Sequence, residues 1–193
     1  MRLGEVAEIR GGLVAGTGAN PLSPEAIRAL QVGDLASDGT IPWQTLRRAE
    51  PTGNWKRSLI QEGDLLIPLR STRVTAIVAR GVAEQTIAVG HWAIISTGPG
   101  LLPEYLAWFL AHPSNAKQWR QAEVGSKLAF VPLSAVREMN IEVPSLEIQR
   151  RIANVEALHH RITELETQLA HARYQYVHQL TRTALGRAMH SNH

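Results

Sequence analysis

The sequence predicts an α+β protein: a β-rich globular domain over residues 1–144, then one long C-terminal coiled-coil helix over 145–186. Three observations carry this. Short apolar or alternating runs, each closed by Gly, Pro, Asp or Ser, recur from the N-terminus to Val143. One segment among them keeps helical spacing instead. After Pro144, neither Gly nor Pro occurs again until Gly186.

Gly4 to Ile9, Ala29 to Val32, Asp64 to Leu69, Val74 to Ala79 and His91 to Ser96 read as strands. Pro103 to His112 reads as a helix, with proline in its first turn and Leu106, Phe109 and Leu110 on one face. Asn115 to Val124 adds another turn or two. Ser145 stands as the N-cap of a run of roughly 40 residues, which as a helix extends about 60 Å. With Ile148, Val155, Ile162, Leu169 and Tyr176 at heptad position a, Leu158, Leu165 and Ala172 fall at d, while Ile152 and Leu180 widen the stripe at e. A stripe of about four heptads points to a coiled coil. A globule of this size has no comparable helix to cover it, so the partner helix is expected from another chain. Residues 187–193 are expected to be a disordered tail.

With 193 residues, 44% hydrophobic and 19% charged, the chain fits one globular domain plus an appendage and excludes a disordered polymer. The absence of cysteine excludes disulfides, thiolate metal sites and cysteine nucleophiles. No run approaches the ~18–20 apolar residues of a membrane span, and the opening MRLGEVAEIRGG lacks a signal-peptide core. The expectation is a cytoplasmic protein with no membrane contact.

The net charge of +3 is modest, but 17 of the 20 basic residues are arginine. Arginine's planar fork suits phosphates and guanine edges; a GC-rich genome produces the same bias. Between Trp43 and Arg73 stand Arg47, Arg48, Lys56, Arg57, Arg70 and Arg73, with Trp43, Trp55, Gln44, Thr45, Thr52 and Asn54 among them. Phosphate neutralisation needs clustered cations, and base reading needs arginine and amide or hydroxyl groups on the same surface. An ordinary solvated face over two core tryptophans fits the same residues. In Val124-Gly125-Ser126-Lys127 a Gly-Ser turn and a lysine suit a phosphate, or simply a surface turn. The Gly11 to Pro21 segment lacks the Gly-Lys-Ser/Thr ending of a nucleotide loop and reads as a flexible loop, with Thr17 and Asn20 in reach of DNA.

Histidines concentrate late, at His159, His160, His171, His178, His190 and His193. They lack both HExxH spacing and convergent carboxylates, so they read as solvated helix positions and no metal is expected. His159 flanks the apolar seam. Searches for catalytic patterns fail: there is no Asn/Asp-Pro-Pro-Tyr/Phe, no methyl-donor glycine loop, no Asp…Glu-x-Lys nuclease set and no GxSxG. Neither catalysis nor a cofactor is expected.

Four segments in order carry a family resemblance: LGEVAEIRGG, ALQVGDLASDG, EGDLLIPLRSTRVTAIV and VGSKLAFVPLSAVREMNIEVPSLEIQRRIA. Together they resemble the specificity subunit of type I restriction-modification systems: its first strand and glycine entry, its "D-L" element, its "G-D-L-L" strand with an arginine loop, and its "G-S" turn, short helix and "P-x-L-E-x-Q-R-x-I" helix entrance. The chain departs from the family in two ways. It has one recognition domain and one helix where the family's usual subunit has two of each, and Arg70-Ser71 stands where Arg-Gly is usual.

The resemblance implies a half-subunit that pairs with another copy through antiparallel helices. It implies binding to double-stranded DNA and a partner DNA adenine methyltransferase subunit, with a restriction subunit as an optional member. By that reading Arg70, Ser71, Thr72, Arg73, Arg47, Arg48, Lys56, Arg57, Lys127, Thr17 and Asn20 contact DNA, and Ile148, Val155, Leu158, Ile162, Leu165, Leu169, Ala172 and Tyr176 form the dimer seam. A non-catalytic interaction adaptor, or a decoy specificity subunit, fits the same residues.

Overall fold

The structure, a computed structural model, describes residues 1–14, 17–18, 26–36, 39–70, 74–125 and 129–190, with side chains for all of these except 17–18, 116 and 183–190. It divides into two units, Met1–Arg150 and Arg151–His193. In the first unit the described strands are β1 (Ala7–Gly11), β2 (Thr17–Gly18), β3 (Ile27–Leu30), β4 (Arg48–Pro51), β5 (Leu65–Pro68), β6 (Ile77–Val78), β7 (Thr86–Ala88) and β8 (Trp92–Thr97). One sheet has the order β1-β8-β5-β6 and is antiparallel throughout; the other has the order β2-β4-β3-β7, with β3 and β7 parallel. The α+β class expected from the sequence is the class observed, with the long helix at the C-terminus.

Strand β5 is buried on both faces, as its unbroken apolar run demands. Leu66, Trp92 and Ile94 of the first sheet meet Leu30 and Ala88 of the second, with Trp43, Leu46 and Ile60 completing that core. Helix α3 (Leu133–Glu138) packs on β1 and α1 (Pro103–Ala111) on β6. Between them, α2 (Ala116–Ala122) buries Trp119. The chain start is tied to residues 139–141: Leu3 N–H donates to the Met139 carbonyl at 2.9 Å, and Ile141 N–H to that of Met1 at 2.9 Å.

Two expected strands begin or end elsewhere. Leu3–Glu5 and Val32–Asp34 are 3-10 turns, not strand. In each, a carboxylate draws the backbone round: Glu5 accepts from Arg2 N–H at 2.9 Å and Asp34 from Gln31 N–H at 2.7 Å. Val74 to Ala79 contributes only the two residues of β6. Strands β2, β4 and β7 differ from the sequence expectation, which placed Thr17 and Gly18 in a flexible loop. Arg-Ala-Glu-Pro and Thr-Ile-Ala have little strand signature of their own, and pairing on either side of β3 imposes the conformation.

Tyr105 anchors α1. Its side chain is buried and its hydroxyl donates to the Glu142 carbonyl at 2.8 Å. Burial, and then the Glu142 carboxylate, push the phenol's pKa above its ordinary value. The unfolded chain therefore loses this proton first, so stability present below pH ~10 falls as pH rises further. Tyr105→Phe is expected to cost about 1 kcal/mol at neutral pH and to flatten that alkaline decline, read as the urea midpoint against pH.

Helix α4 spans Leu146–His190. Ser145 accepts at its N-terminus: its carbonyl takes Gln149 N–H at 3.0 Å, and its hydroxyl lies 3.5 Å from Ile148 N, the outer limit of a cap bond. Residues 187–190, expected in a disordered tail, are helical. A single interior glycine costs only about 1 kcal/mol, too little to end a helix that Arg, Ala and Met continue. Residues 191–193 lie outside the described set. Among the described residues, no helix is long and apolar enough to cross a membrane.

Candidate nucleic-acid interface

The basic residues expected to act together divide into two kinds. Arg47 and Arg48 are sequence neighbours whose side chains diverge along β3. Arg47 donates to the Gln31 side-chain oxygen just past the carboxyl end of β3, at 2.5 Å. Arg48 turns toward the amino end, donating to the Ala26 carbonyl at 2.6 and 3.1 Å and pairing with Glu84 at 3.4 Å. Arg48 thus has structural work to do. So has Arg28, which holds the Gln44 carbonyl at 2.7 Å and presents the 41–47 segment.

Lys56, Arg57 and Arg70 are exposed, and their side chains make no hydrogen bond or ion pair with the described residues. Lys56 and Arg57 sit on the 3-10 turn Trp55–Ser58, whose far end is fixed by a Ser58 hydroxyl bond to the Gly11 carbonyl at 2.9 Å. Free cations on a fixed turn are what phosphate contact requires. Of the two tryptophans, Trp43 is a core residue, whereas Trp55 is half-buried and lines an open cleft of about 520 Å³ with Arg48, Pro51 and Gln85.

Arg70 leaves the end of β5. Leu69, just before it, donates to the His91 carbonyl at 2.8 Å and accepts from Val131 N–H at 2.9 Å. Val131 in turn follows the Val124–Phe130 bridge, and Gly125 beside Val124 takes φ +94°, a conformation that favours glycine. Ser126 and Lys127, between Gly125 and Phe130 in sequence, lie outside the described residues, as do Ser71, Thr72, Arg73 and Asn20. Thr17 is in β2, its side chain undescribed.

Three of the expected loops nevertheless meet. Gly12, Leu69, Gly90, His91 and Phe130 line one apolar crevice of about 220 Å³, which joins the start of the 12–25 segment, the exit of β5 and the base of the 125–129 turn. Gly12 is required there: a Cβ on it would stand 2.5 Å from the Gly90 carbonyl oxygen. The glycine pair at the head of the expected flexible loop is thus closely packed, while residues 15–16 and 19–21 of that segment lie outside the described residues.

Sequence reasoning missed the polar group that ties β1 to β8, to Asp64 before β5, and to the end of the Trp55–Ser58 turn. Arg10 on β1 donates to Asp64 at 2.9 Å, to the Ser96 hydroxyl at 2.8 Å and to the Leu59 carbonyl at 2.8 Å. Asp64, almost fully buried, also accepts from Gln61 N–H at 2.8 Å, as Asp34 does from Gln31. A detectable signal exists: Gln31-Val32-Gly33-Asp34-Leu35 and Gln61-Glu62-Gly63-Asp64-Leu65 repeat one pattern. The described residues hold no group of three or more His, Asp or Glu side chains placed to bind a metal ion.

The eight expected seam residues all lie on α4 and are exposed, with Ile162 at 55% and Leu169 at 51%. Around them the helix makes its own polar bonds, such as Arg161 to Glu164 at 2.6 Å and His160 to Glu156 at 3.3 Å.

No protein-family model and no curated protein sequence matches the chain. Solved structures do. A chain from a structure of the assembly and conformational transition of the type I R-M system superposes with TM-score 0.61 at 20% identity, over 89% of this chain and 40% of that one. The HsdS subunit of Thermoanaerobacter tengcongensis gives 0.55 at 20% identity, over 86% and 38%. The S subunit of a type I restriction-modification system of M. genitalium gives 0.50 at 11% identity, over 82% and 37%. Spanning about 40% of the length of these structures, the chain has the fold of type I restriction-modification specificity subunits.

Proposed function

We propose that this chain is the sequence-specific DNA recognition subunit of a type I restriction-modification system, in a half-subunit form. The observation carrying the reading is the fold likeness over two-fifths of the specificity subunits' length. The exposed, uncommitted Lys56, Arg57 and Arg70 on anchored turns agree with it. DNA contact falls to these residues and Arg47, to Thr17 of β2, and to Arg73, Ser71, Thr72, Lys127 and Asn20 in the neighbouring segments. The chain performs no chemistry itself; a partner adenine methyltransferase supplies it.

Two copies pair through antiparallel α4 helices, an isologous dimer that reads a palindromic bipartite site with halves about one DNA turn, ~34–36 Å, apart. Such binding is electrostatic in large part. Duplex retention should fall about tenfold or more between 50 and 200 mM salt if a handful of phosphates are contacted. Salt-insensitive, weak retention would instead select the adaptor reading. Mapping methylated sites in a host carrying the chain with its neighbouring methyltransferase identifies the bipartite sequence.

Pairing has its own test. Because Ile162 and Leu169 are more than half exposed in the single chain, Ile162→Asp with Leu169→Asp should change its folding stability little. Sedimentation should show a folded monomer where the parent is a dimer. A persisting dimer would exclude α4 as the seam.

A further inference from the structure

Resting on that self-pairing, we infer the register of the helix pair: Ile162 faces the partner's Leu165, Leu158 the partner's Leu169, and Val155 the partner's Ala172, with the two-fold axis between Thr163 and Glu164. In an antiparallel pair each a residue meets a d residue, and symmetry repeats every layer. Slipping the pair by one heptad either way preserves comparable apolar layers, since Ile148 or Tyr176 enters as another residue leaves. Apolar matching alone therefore leaves the register undecided, and the charged rim decides it.

The side chains flanking the stripe are His159, Glu166 and Arg173 on one edge, Arg161 and Gln168 on the other. Within the single helix Arg161 is already satisfied by Glu164 at 2.6 Å. Gln168 bonds the same carboxylate at 3.1 Å. Glu166 has no hydrogen bond or ion pair among the described residues, and the His159 ring meets only that of His160. In the inferred register Glu166 comes level with the partner's His159 to within about 3 Å along the axis, and Arg161 with the partner's neutral Gln168. Slipped one way, the two copies' Glu166 carboxylates face each other; slipped the other way, the two Arg161 guanidinium groups do. A parallel pair sets Arg151, at a d position, against its own copy in the seam. Like charges there are unfavourable, so of these alignments only the inferred register keeps every nearest rim pair neutral or complementary.

The chain has no cysteine, so Tyr174→Cys, on the outer face, gives one spin-label site per copy. Its two copies should lie ~32 Å apart along the helix axis and ~20 Å apart across the pair, about 37 Å in all. A separation of that size in pulsed electron resonance supports the register. Separations near 29 or 47 Å, the one-heptad slips, or the ~20 Å lateral distance of a parallel pair, overturn it. The same sample in sedimentation keeps the two claims apart: a monomer defeats self-pairing, whereas a dimer at the wrong distance defeats only the register. As a second reading, His159→Glu should weaken dimerisation roughly tenfold through two like-charge contacts. Adding Glu166→Lys to the same chain should restore it, and failure to restore counts against the His159–Glu166 contact.

Discussion

Reversing Arg70 and Arg73 to glutamate is expected to remove specific duplex retention while leaving the fold intact. Arg70 is exposed and bonds to nothing described, so its replacement breaks no structural contact. Its position is nevertheless fixed, because Leu69 beside it is bonded on both sides, to His91 and to Val131. An arginine held in this way can place its fork against a base edge or phosphate without first ordering the chain, and each such contact is worth about 1–3 kcal/mol. Two reversals lose both contacts and add repulsion, which predicts a fall of ~100-fold or more. The salt dependence should also become shallower. Gel retention at several salt concentrations reads both effects, and retention within about threefold of the parent would remove the DNA assignment of this loop. Arg48→Glu makes an instructive contrast, since its loss should reach stability through the Ala26 carbonyl and Glu84.

Gln149→Leu is expected to be the most damaging single substitution to stability. Gln149 is fully buried, and every polar hydrogen of its amide is used. The oxygen accepts from Leu102 N–H at 2.8 Å; the nitrogen donates to the Gly100 carbonyl at 2.9 Å and to that of Pro144 at 2.8 Å. Leucine keeps most of the volume but leaves three backbone groups without partners. At about 1–3 kcal/mol for each group so orphaned, and with partial rehydration, the expected loss is ~3–5 kcal/mol. Gln149→Glu should be no better, because a carboxylate would face two carbonyl oxygens with nothing to donate. Urea unfolding followed by the buried Trp92 and Trp119 measures this, and a loss below about 1 kcal/mol would contradict the pinning role. The glutamine of the Pro-x-Leu-Glu-x-Gln-Arg segment is therefore the residue that ties the first turn of α4 to the corner before α1. For the same reason the globular unit extends to Arg150, past the Pro144 boundary the sequence suggests.

Periodicity made α1, α4, β5 and β8 legible, because each satisfies a local rule by itself. Leu106, Phe109 and Leu110 recur at helical spacing, and Leu65 to Pro68 is apolar enough to be buried on both faces. Strands β4 and β7 satisfy no such rule. Arg48-Ala49-Glu50-Pro51 becomes a strand because β3 lies beside it, and β3's position is set by residues far away in the chain. The basic cluster was legible only as composition. Nothing in the adjacency of Arg47 and Arg48 says that one will reach past the end of β3 while the other turns back to Ala26.

The sequence by itself determined the two-part architecture and the exposed stripe on α4, since heptad spacing and the absence of Gly or Pro act through local backbone geometry. Only the tertiary structure decided which arginines are committed to the fold and which side chains stay exposed without partners among the described residues. It also revealed the roles of Arg10, Asp64 and Gln149. Their bonds join residues dozens of positions apart, and a buried polar group acquires its meaning from the partners that burial supplies.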